Sequence, residues 1–432
     1  MSVRKSIYEV LFWKAAFYAS VFLVNVCIAR YFEAAVSGLL FYITNLFSFA
    51  LLILSFSVES GMTFFLSRNE ISSQRLSGAA LLWTFVSSAL IAIVLQFYHF
   101  PDRLQLPGNM TVITLLFLSS MLLITFFSAL LAGKKDFKTA FICQALGNVM
   151  LVVFLLFSNH GSNNFSGTAT FIYLYFGLFF LEGIVITLYY IIRYKAGVIV
   201  SIPSKADIKR VLNYSSVVFI SNLAYFLLYR IDYWFVEYYC DDKSLGNYVQ
   251  VSKIAQLLIL TPATVSIAIF PYIAQKGKGD FLPELQTLSR IMLFTFGIIC
   301  IAGAIVGYWF FPFLLGPTFD QMYVSYLFLI PGILSLVSLY PYTSYYAGVD
   351  MARRNVKGTF IGLITIIVAD ILLIPRFGIN GAALASSIGY LCFQAFIMIS
   401  FKKDFEISLT DSFLPRKSDI NKIQLIANKG KR

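Results

Sequence analysis

The stretch LLIPRFGINGAALASSIGY, residues 372–390, is an apolar run that turns a corner and continues as a second apolar run. Pro375 is predicted to end the first run as a helix, because proline cannot continue the helical hydrogen-bond ladder. Gly378 and Gly381 then let the backbone reverse, since glycine adopts conformations that other residues avoid. The stretch therefore predicts two apolar helices joined by a tight turn.

The second run carries small residues at a spacing of four, namely Gly381, Ala385 and Gly389. This spacing places the three residues on one face of a helix. In membrane proteins a stripe of small residues lets a neighbouring helix approach closely. We interpret the stretch as architectural, and the functional residues are sought elsewhere in the chain.

The whole chain has the composition of a membrane protein. Of its 432 residues, 59% are hydrophobic and 12% are charged, and the mean hydropathy is +0.79. Soluble domains carry about 25% charged residues, so the bilayer is the natural solvent for this chain. The net charge of +12 is typical of basic cytoplasmic loops and does not indicate nucleic-acid binding, which needs a basic face on a soluble fold. The five cysteines lack the spacing of a metal site or a disulfide framework.

Twelve stretches are long and apolar enough to span a bilayer, which takes about 20 residues. They lie at 9–29, 37–58, 77–98, 110–132, 139–158, 169–192, 214–236, 247–270, 288–311, 323–346, 356–375 and 380–401. The first run is too long for a cleavable signal peptide. The chain is therefore predicted to be an all-α integral membrane protein.

Lys and Arg are distributed unequally between alternate loops of this scheme. Twenty-seven of the 33 fall on the side that holds both termini and four on the other side, while Arg230 and Lys253 lie within spans. Basic residues accumulate on the cytoplasmic side of membrane proteins. Both termini are therefore predicted to be cytoplasmic.

The two halves of the chain repeat each other. Gly38 and Gly246 align at an offset of 208, and AGKKDFKTAF at 132–141 resembles AGVDMARRNVKGTF at 347–360. The copies are six spans apart and so insert in the same direction. This predicts two six-helix bundles related by a pseudo-two-fold axis along the membrane normal, an arrangement common in secondary transporters, with the substrate at the repeat interface.

This repeat divides the chain into four expected parts. They are an N-terminal six-helix lobe (1–192), a cytoplasmic linker (193–213), a C-terminal six-helix lobe (214–401) and a basic cytoplasmic tail (402–432). The linker is either a plain connection or an amphipathic helix on the inner leaflet, with Lys205, Lys209 and Arg210 facing anionic lipid.

Several motifs, taken in order along the chain, carry a resemblance to a known family. They are ARYFEAAVSGLLFYI, SVESGMTFFLSR, RIDYWFVEYYCDDKSLGNYV, IFPYIAQ and the opening stretch. Together they resemble the Wzx-type O-antigen flippases, in the polysaccharide-transporter branch of the multidrug/oligosaccharidyl-lipid/polysaccharide exporter superfamily. The resemblance implies a MATE-like fold and an undecaprenyl-diphosphate oligosaccharide as substrate. Asp370 departs from the family, which more often has an uncharged amide there.

Charged residues within spans are the strongest candidates for function, because each costs about 2.5–3.5 kcal/mol at the bilayer centre. Glu182, Asp232 and Asp370 are candidates for coupling transport to H⁺ or Na⁺, although Glu182 could equally be a hydrogen-bonded packing residue. Arg230 and Lys253 could hold the negative charge of a lipid diphosphate, but Arg230 could instead snorkel to the interface.

Amide side chains complete the predicted substrate cavity. Gln250, Lys253 and Gln256 recur every three residues and form one polar stripe on an otherwise apolar helix. Asn25 lies on the first span and Asn222 on the seventh, which the repeat relates to each other. Asn45 lies on the second span, and the offset of 208 aligns it with Lys253 on the eighth. Amides could bind sugar hydroxyls or join helices to one another, and the second use is commoner.

We therefore expect a flippase that moves lipid-linked oligosaccharide by alternating access for O-antigen, capsule or exopolysaccharide assembly. The two lobes would form a V around a cationic cavity. No nucleotide-binding loop is found, so no cofactor or enzymatic activity is expected, while a polysaccharide polymerase and a chain-length regulator are expected partners. The alternatives are an exporter of cationic drugs with the same fold and a membrane glycosyltransferase or polymerase. The predicted outer loops are too short for the latter.

Overall fold

The computed structural model describes residues 3–98, 100–101, 104–157, 165–194, 204–276 and 281–406. The elements within these ranges are helices. They are α1 (Val3–Ser55), α2 (Val58–Ser67), α3 (Ser73–Phe97), α4 (Met110–Gly133), α5 (Lys138–Phe157), α6 (Phe165–Arg193), α7 (Lys205–Tyr239), α8 (Asp242–Lys276), α9 (Leu282–Leu315), α10 (Met322–Gly348) and α11 (Arg353–Phe405).

Nine helices of this described part are long and apolar enough to cross a membrane, namely all except α2 and α8. Two of the nine are each interrupted once. The backbone of α1 leaves helical geometry at Glu33 (φ 60°, ψ −176°) and that of α11 at Gly378 (φ 55°, ψ −138°). Divided there, α1 contains the predicted first span and the second up to Ser55, and α11 contains the last two spans. The other eight predicted spans lie in α3 to α10, apart from one residue at the end of two of them.

The corner in α11 differs from the prediction in one respect. Pro375 lies inside the helix, and the chain turns at Gly378, three residues later. Proline removes one ladder hydrogen bond, a small loss so close to the end of a segment. The left-handed φ of Gly378 is the larger change in direction, and glycine adopts it without steric cost.

The small-residue stripe packs as predicted, and its neighbour is the preceding segment of the same helix. A Cβ on Gly381 would lie 2.7 Å from the carbonyl carbon of Leu373, and one on Gly389 would lie 2.9 Å from the carbonyl oxygen of Gly362. Ala385 is fully buried. The two arms of α11 therefore approach too closely for larger side chains at Gly381 and Gly389.

The chain divides into two compact units. Unit 1 comprises residues 1–33 and 39–223, and unit 2 comprises residues 34–38 and 224–432. In unit 1, α4 packs against α6, α3 and α2, and in unit 2, α10 packs against α11, α8 and α9. The boundary between the units falls inside α7, between Leu223 and Ala224. Residues 205–213 of the predicted linker form the first turns of this helix. Of the predicted linker and tail, residues 195–203 and 407–432 lie outside the described part of the chain.

Candidate functional site

Unit 2 contains a pair of buried carboxylates. Asp232 on α7 is 3% exposed and Asp370 on α11 is fully buried. Asp232 Oδ2 accepts hydrogen bonds from the hydroxyls of Tyr248 and Ser386, the second at 2.9 Å. Asp232 Oδ1 and both oxygens of Asp370 have no hydrogen-bond partner among the described residues. The structure thus brings together two of the three predicted coupling residues.

The two carboxylates are close enough to interact electrostatically. Two negative charges in a low-dielectric interior repel each other, and each also loses its hydration. Arg230 is also within electrostatic range of Asp232 and offsets part of this repulsion. A proton or a small cation between the carboxylates would offset more of it. The Asp232–Asp370 pair is therefore a candidate site for one cation.

A small cavity adjoins Asp232 within unit 2. Its polar lining comes from α7, α8 and α11. The residues are Tyr229, Asp232, Tyr248, Ser252, Gln256, Ser386 and Tyr390. A water molecule or a small cation in this cavity would find hydroxyl, amide and carboxylate oxygens within reach, which are the ligands that hard cations prefer.

Positive side chains lie beside this cavity. Arg230 donates a hydrogen bond of 2.8 Å from Nη2 to Oε1 of Gln256, and its guanidinium lies 5.4 Å from the ring centre of Tyr233. Lys253 is within electrostatic range of Arg230. Three predicted substrate residues, Arg230, Lys253 and Gln256, are thus neighbours on α7 and α8. We call them the cationic cluster.

Gln250, the remaining member of the predicted stripe, is in a different environment. It is 3% exposed and its amide nitrogen has no hydrogen-bond partner within the described ranges. It is not among the residues that line the cavity of unit 2. The prediction that all three stripe residues line one substrate cavity stays a prediction.

Glu182 lies in unit 1, on α6, and so is not part of the acidic pair of unit 2. It is 6% exposed, and its carboxylate packs on the backbone of Gly147 in α5. Oε1 faces the glycine, while Oε2 has no hydrogen-bond partner among the residues described. On the next residue of α5, the amide of Asn148 donates to Ser20 Oγ at 3.0 Å. Glu182 is therefore a third buried acid, separate from the Asp232–Asp370 pair.

The three predicted asparagines also lie in unit 1. Asn25 donates to the carbonyl of Val21, one turn earlier in its own helix, at 2.7 Å. Asn45 is 3% exposed, and neither of its amide atoms has a hydrogen-bond partner in the described structure. Asn222 is exposed and donates to Ser57 Oγ at 3.0 Å. Asn45 is the member of this group whose buried amide could still bind a ligand.

Ser57 belongs to a feature that the sequence reasoning missed. The second span is interrupted between α1 and α2, where Phe56 and Ser57 both adopt positive φ angles of 49° and 52°. The break frees backbone groups, and Trp83 Nε1 donates to the carbonyl of Leu54 at 2.8 Å. Interrupted membrane helices commonly mark binding sites in transporters. With no glycine or proline in FSVES, the sequence carries no local signal of this break.

A carboxylate follows the break directly. Glu59 lies in the first turn of α2, and its Oε2 is buried without a hydrogen-bond partner in the described ranges. The sequence reasoning used the SVESGMTFFLSR motif only for the resemblance and did not single out this residue. The interrupted helix and Glu59 are additional candidates for function in unit 1.

Comparison with protein families places most of the chain in a known family. The model of the family described as polysaccharide biosynthesis protein matches residues 13–276. A comparison with curated proteins finds no significant match.

Comparison with solved structures finds the same fold over almost the whole chain. The lipid II flippase MurJ, in an inward closed conformation, has a TM-score of 0.70 at 16% identity, covering 93% of this chain and 90% of that chain. An inward-facing multidrug resistance MATE family transporter of the MOP superfamily has a TM-score of 0.67 at 12% identity, covering 88% and 93%. A MOP superfamily transporter from Pyrococcus furiosus has a TM-score of 0.60 at 14% identity, covering 93% and 94%.

These likenesses confirm the predicted all-helical, MATE-like fold, and the family match confirms the resemblance found in the sequence. The arrangement of two six-helix bundles stays a prediction. Families with this fold are membrane transporters and flippases. The chain is therefore a multi-pass membrane protein with the fold of the MOP-superfamily transporters, and it belongs to the polysaccharide biosynthesis protein family.

Proposed function

We propose that this protein is a flippase that translocates lipid-linked oligosaccharide, carried on undecaprenyl diphosphate, across the bacterial inner membrane. The product would serve O-antigen, capsule or exopolysaccharide assembly. The observation that carries the proposal is the cationic cluster in a membrane protein of a polysaccharide biosynthesis family. The chain also shares its fold with MurJ, a lipid II flippase.

The cationic cluster suits a diphosphate for electrostatic reasons. The planar guanidinium of Arg230 can bind two phosphate oxygens at once, and Lys253 can add a second positive charge. Gln256 now accepts a hydrogen bond from Arg230, so a phosphate oxygen would replace a neutral acceptor with a charged one. Charge-assisted hydrogen bonds are stronger than neutral ones, which favours the exchange.

The Asp232–Asp370 pair would couple transport to an ion gradient. A proton or Na⁺ held by the pair would neutralise it, and release of that cation would restore the repulsion between the carboxylates. A change in this charge near the cationic cluster would change how strongly the cluster holds a phosphate. Alternating access would then be driven by the cation rather than by ATP.

A multidrug exporter of cationic compounds is the second candidate. Two observations favour it, namely the likeness to MATE transporters and the buried carboxylates Asp232, Asp370 and Glu182. A cationic drug would be repelled by Arg230 and Lys253. The cationic cluster therefore favours an anionic substrate over a cationic drug.

Deletion and complementation in the native host distinguish the two candidates. Loss of surface glycan, with accumulation of the lipid-linked unit on the cytoplasmic side, supports the flippase. Intact glycan with new sensitivity to cationic drugs supports the exporter. The deleted strain is restored with wild type, Lys253→Ala, Lys253→Arg or Glu182→Gln at equal membrane abundance.

The Lys253 variants test the role of the charge. We expect Lys253→Ala to fail and Lys253→Arg to restore glycan export, because the phosphate needs a cation at this place. Lys243→Ala is the matched control, since Lys243 lies at the start of α8 and pairs with Asp320 at 2.9 Å on the surface. If Lys253→Ala restores export as well as Lys243→Ala does, Lys253 is not in the substrate path.

The proposed orientation and partners follow from the same function. Both termini would lie in the cytoplasm, and a polymerase with its chain-length regulator would take the translocated unit on the other side. Reporter fusions at the two termini test the orientation. Co-purification with the polymerase tests the partnership.

A further inference from the structure

Two ion pairs connect the first turns of α7 to the segment between α2 and the start of α3 in unit 1. Arg75 pairs with Asp207 at 3.2 Å, and Arg210 pairs with Glu70. Ser204 and Asp207 cap the helix reciprocally, with backbone-to-side-chain hydrogen bonds of 3.1 and 3.3 Å. The start of α7 therefore has a defined position above the ends of α2 and α3.

An apolar pocket lies beneath this start of α7. Its walls come from α2, α3 and α7, and they include Met62, Ala79, Trp83, Ile208 and Val211. Asp207 is among its lining residues. We call the charged residues of 68–75 and 205–210 the rim of the pocket, because they lie in the turn and the helix start that adjoin it. A dry pocket with these walls fits hydrocarbon, because it offers apolar contact and almost no hydrogen-bonding partners.

The rim carries more positive than negative charge. Five cations, Arg68, Arg75, Lys205, Lys209 and Arg210, accompany two anions. Glu70 and Asp207 are each already engaged by arginine, which leaves an excess of three positive charges. Lys205 and Lys209 are exposed. An exposed cationic rim above a hydrocarbon pocket is complementary to an anionic lipid.

We infer that this pocket is a binding site for an anionic phospholipid, with one acyl chain between α2, α3 and α7 and the headgroup at Lys205 and Lys209. The occupant is a phospholipid because the pocket walls are apolar and the excess of three positive charges at the rim selects an anionic headgroup. The site is separate from the cationic cluster of unit 2.

Fluorescence quenching tests the site, because Trp83 lines the pocket. Replacing Trp13, Trp234 and Trp309 by Phe leaves Trp83 as the single tryptophan of the full chain. This variant is placed in phosphatidylcholine vesicles that contain a minor fraction of phosphatidylglycerol or phosphatidylcholine brominated on its acyl chains. We expect brominated phosphatidylglycerol to quench Trp83 at a concentration at least about fivefold lower than brominated phosphatidylcholine.

Charge reversal locates the headgroup. Lys205→Glu with Lys209→Glu should abolish the preference for phosphatidylglycerol. Lys402→Glu with Lys403→Glu should keep it, since these exposed lysines lie in the last turn of α11 in unit 2. Equal quenching by the two brominated lipids in the single-tryptophan protein, or a preference that survives reversal of Lys205 and Lys209, overturns the inference.

Two further measurements cover the remaining outcomes. Ala79→Leu should reduce quenching by both lipids, because the added methyl groups occupy the pocket; unchanged quenching means that the acyl chain lies elsewhere. Unbrominated undecaprenyl diphosphate is added as a competitor. If it relieves quenching at lower concentration than unbrominated phosphatidylglycerol does, the pocket belongs to a polyprenyl lipid and the phospholipid assignment is wrong.

Discussion

Gly38 and Gly246, which are 208 residues apart, pack directly against each other. The contact is reciprocal. A Cβ on Gly38 would lie 3.3 Å from the carbonyl oxygen of Asp242, and one on Gly246 would collide with the carbonyl oxygen of Ala34. Ala34 and Asp242 are related by the same offset. Reciprocal contacts of this kind arise where a two-fold axis relates two segments, here the segment 34–38 and the first turn of α8 within unit 2.

Replacing Gly246 by Ala should destabilise the protein. The added methyl would lie within 2.6 Å of the carbonyl carbon and 3.1 Å of the Cα of Ala34, and backbone atoms cannot move aside as a flexible side chain can. We expect a cost of about 1–3 kcal/mol and a lower melting temperature in detergent. Gly297→Ala on α9 is the matched control, because its Cβ would meet no heavy atom within 4 Å. Equal melting temperatures for the two variants would show that Gly246 does not pack tightly against the backbone of Ala34.

Much of the fold could be predicted from the sequence, because apolar length is a property of each stretch by itself. The repeat that aligns Gly38 with Gly246 can also be recognised in the sequence, but the contact between the two residues cannot. The interruption at Phe56 and Ser57 could not be foreseen, since both residues are ordinary helix formers in apolar surroundings. The strain of two left-handed residues must be offset by tertiary contacts, such as the hydrogen bond of Trp83.

The individual residues of the candidate site could be predicted from the sequence, but the contacts between them could not. Charges within spans are recognisable one by one, but Asp232 and Asp370 lie on different helices, and their proximity depends on how α7 packs against α11. The same holds for Arg230 and Gln256, which meet across α7 and α8. Helical periodicity places a residue on a face, but it does not identify the residue it will meet on another helix.

Replacing Asp370 by Asn should remove the effect of sodium on stability. In wild type, Na⁺ or a proton held between Asp232 and Asp370 neutralises their repulsion, so the melting temperature should rise when sodium replaces choline or when the pH falls. A ligand at 100 times its dissociation constant stabilises by about 2.7 kcal/mol. Asp370→Asn should lose the response to sodium and show a smaller response to pH, because Glu182 and Glu59 remain as buried acids.

The control for this measurement is Asp320→Asn. Asp320 is half exposed and pairs with Lys243, so its replacement removes the same charge at the surface of the same unit. We expect Asp320→Asn to keep the wild-type response to sodium or pH. A rise in melting temperature with sodium that persists in Asp370→Asn would show that the carboxylate pair does not hold the cation.

Replacing Arg230 by Lys should impair transport although it keeps the positive charge. Lysine lacks the planar fork that binds two phosphate oxygens, and it would not reproduce the hydrogen bond to Gln256. Hydrogen bonds to charged groups contribute about 1.5–3 kcal/mol, so we expect glycan export to fall by about one to two orders of magnitude. The measure is the rate at which the lipid-linked unit becomes accessible outside. Arg376→Lys, an exposed arginine near the corner of α11, should export normally; equal rates for both variants would remove Arg230 from the substrate path.

Gly147 is the position at which the role of Glu182 can be tested without removing the acid. An added Cβ would lie 2.8 Å from Glu182 Cδ, so Gly147→Ala must displace the carboxylate. We expect Gly147→Ala to lower stability, but by less than Gly246→Ala, because the displaced atoms are the end of a buried side chain and not backbone. Gly177→Ala, on the same helix as Glu182, should not, since no heavy atom lies within 4 Å of the added Cβ. The measurement is thermal unfolding in detergent.

The double variant decides whether the cost arises from that contact. Glu182→Ala removes the atoms that the new methyl would meet, so Gly147→Ala should cost little in its presence, and the two changes should be far from additive. Additive costs would mean that Gly147 is needed for some other contact. If Gly147→Ala also stops glycan export while the double variant folds normally and remains inactive, the carboxylate of Glu182 is required for transport. Recovery of export in the double variant would assign Glu182 to packing alone.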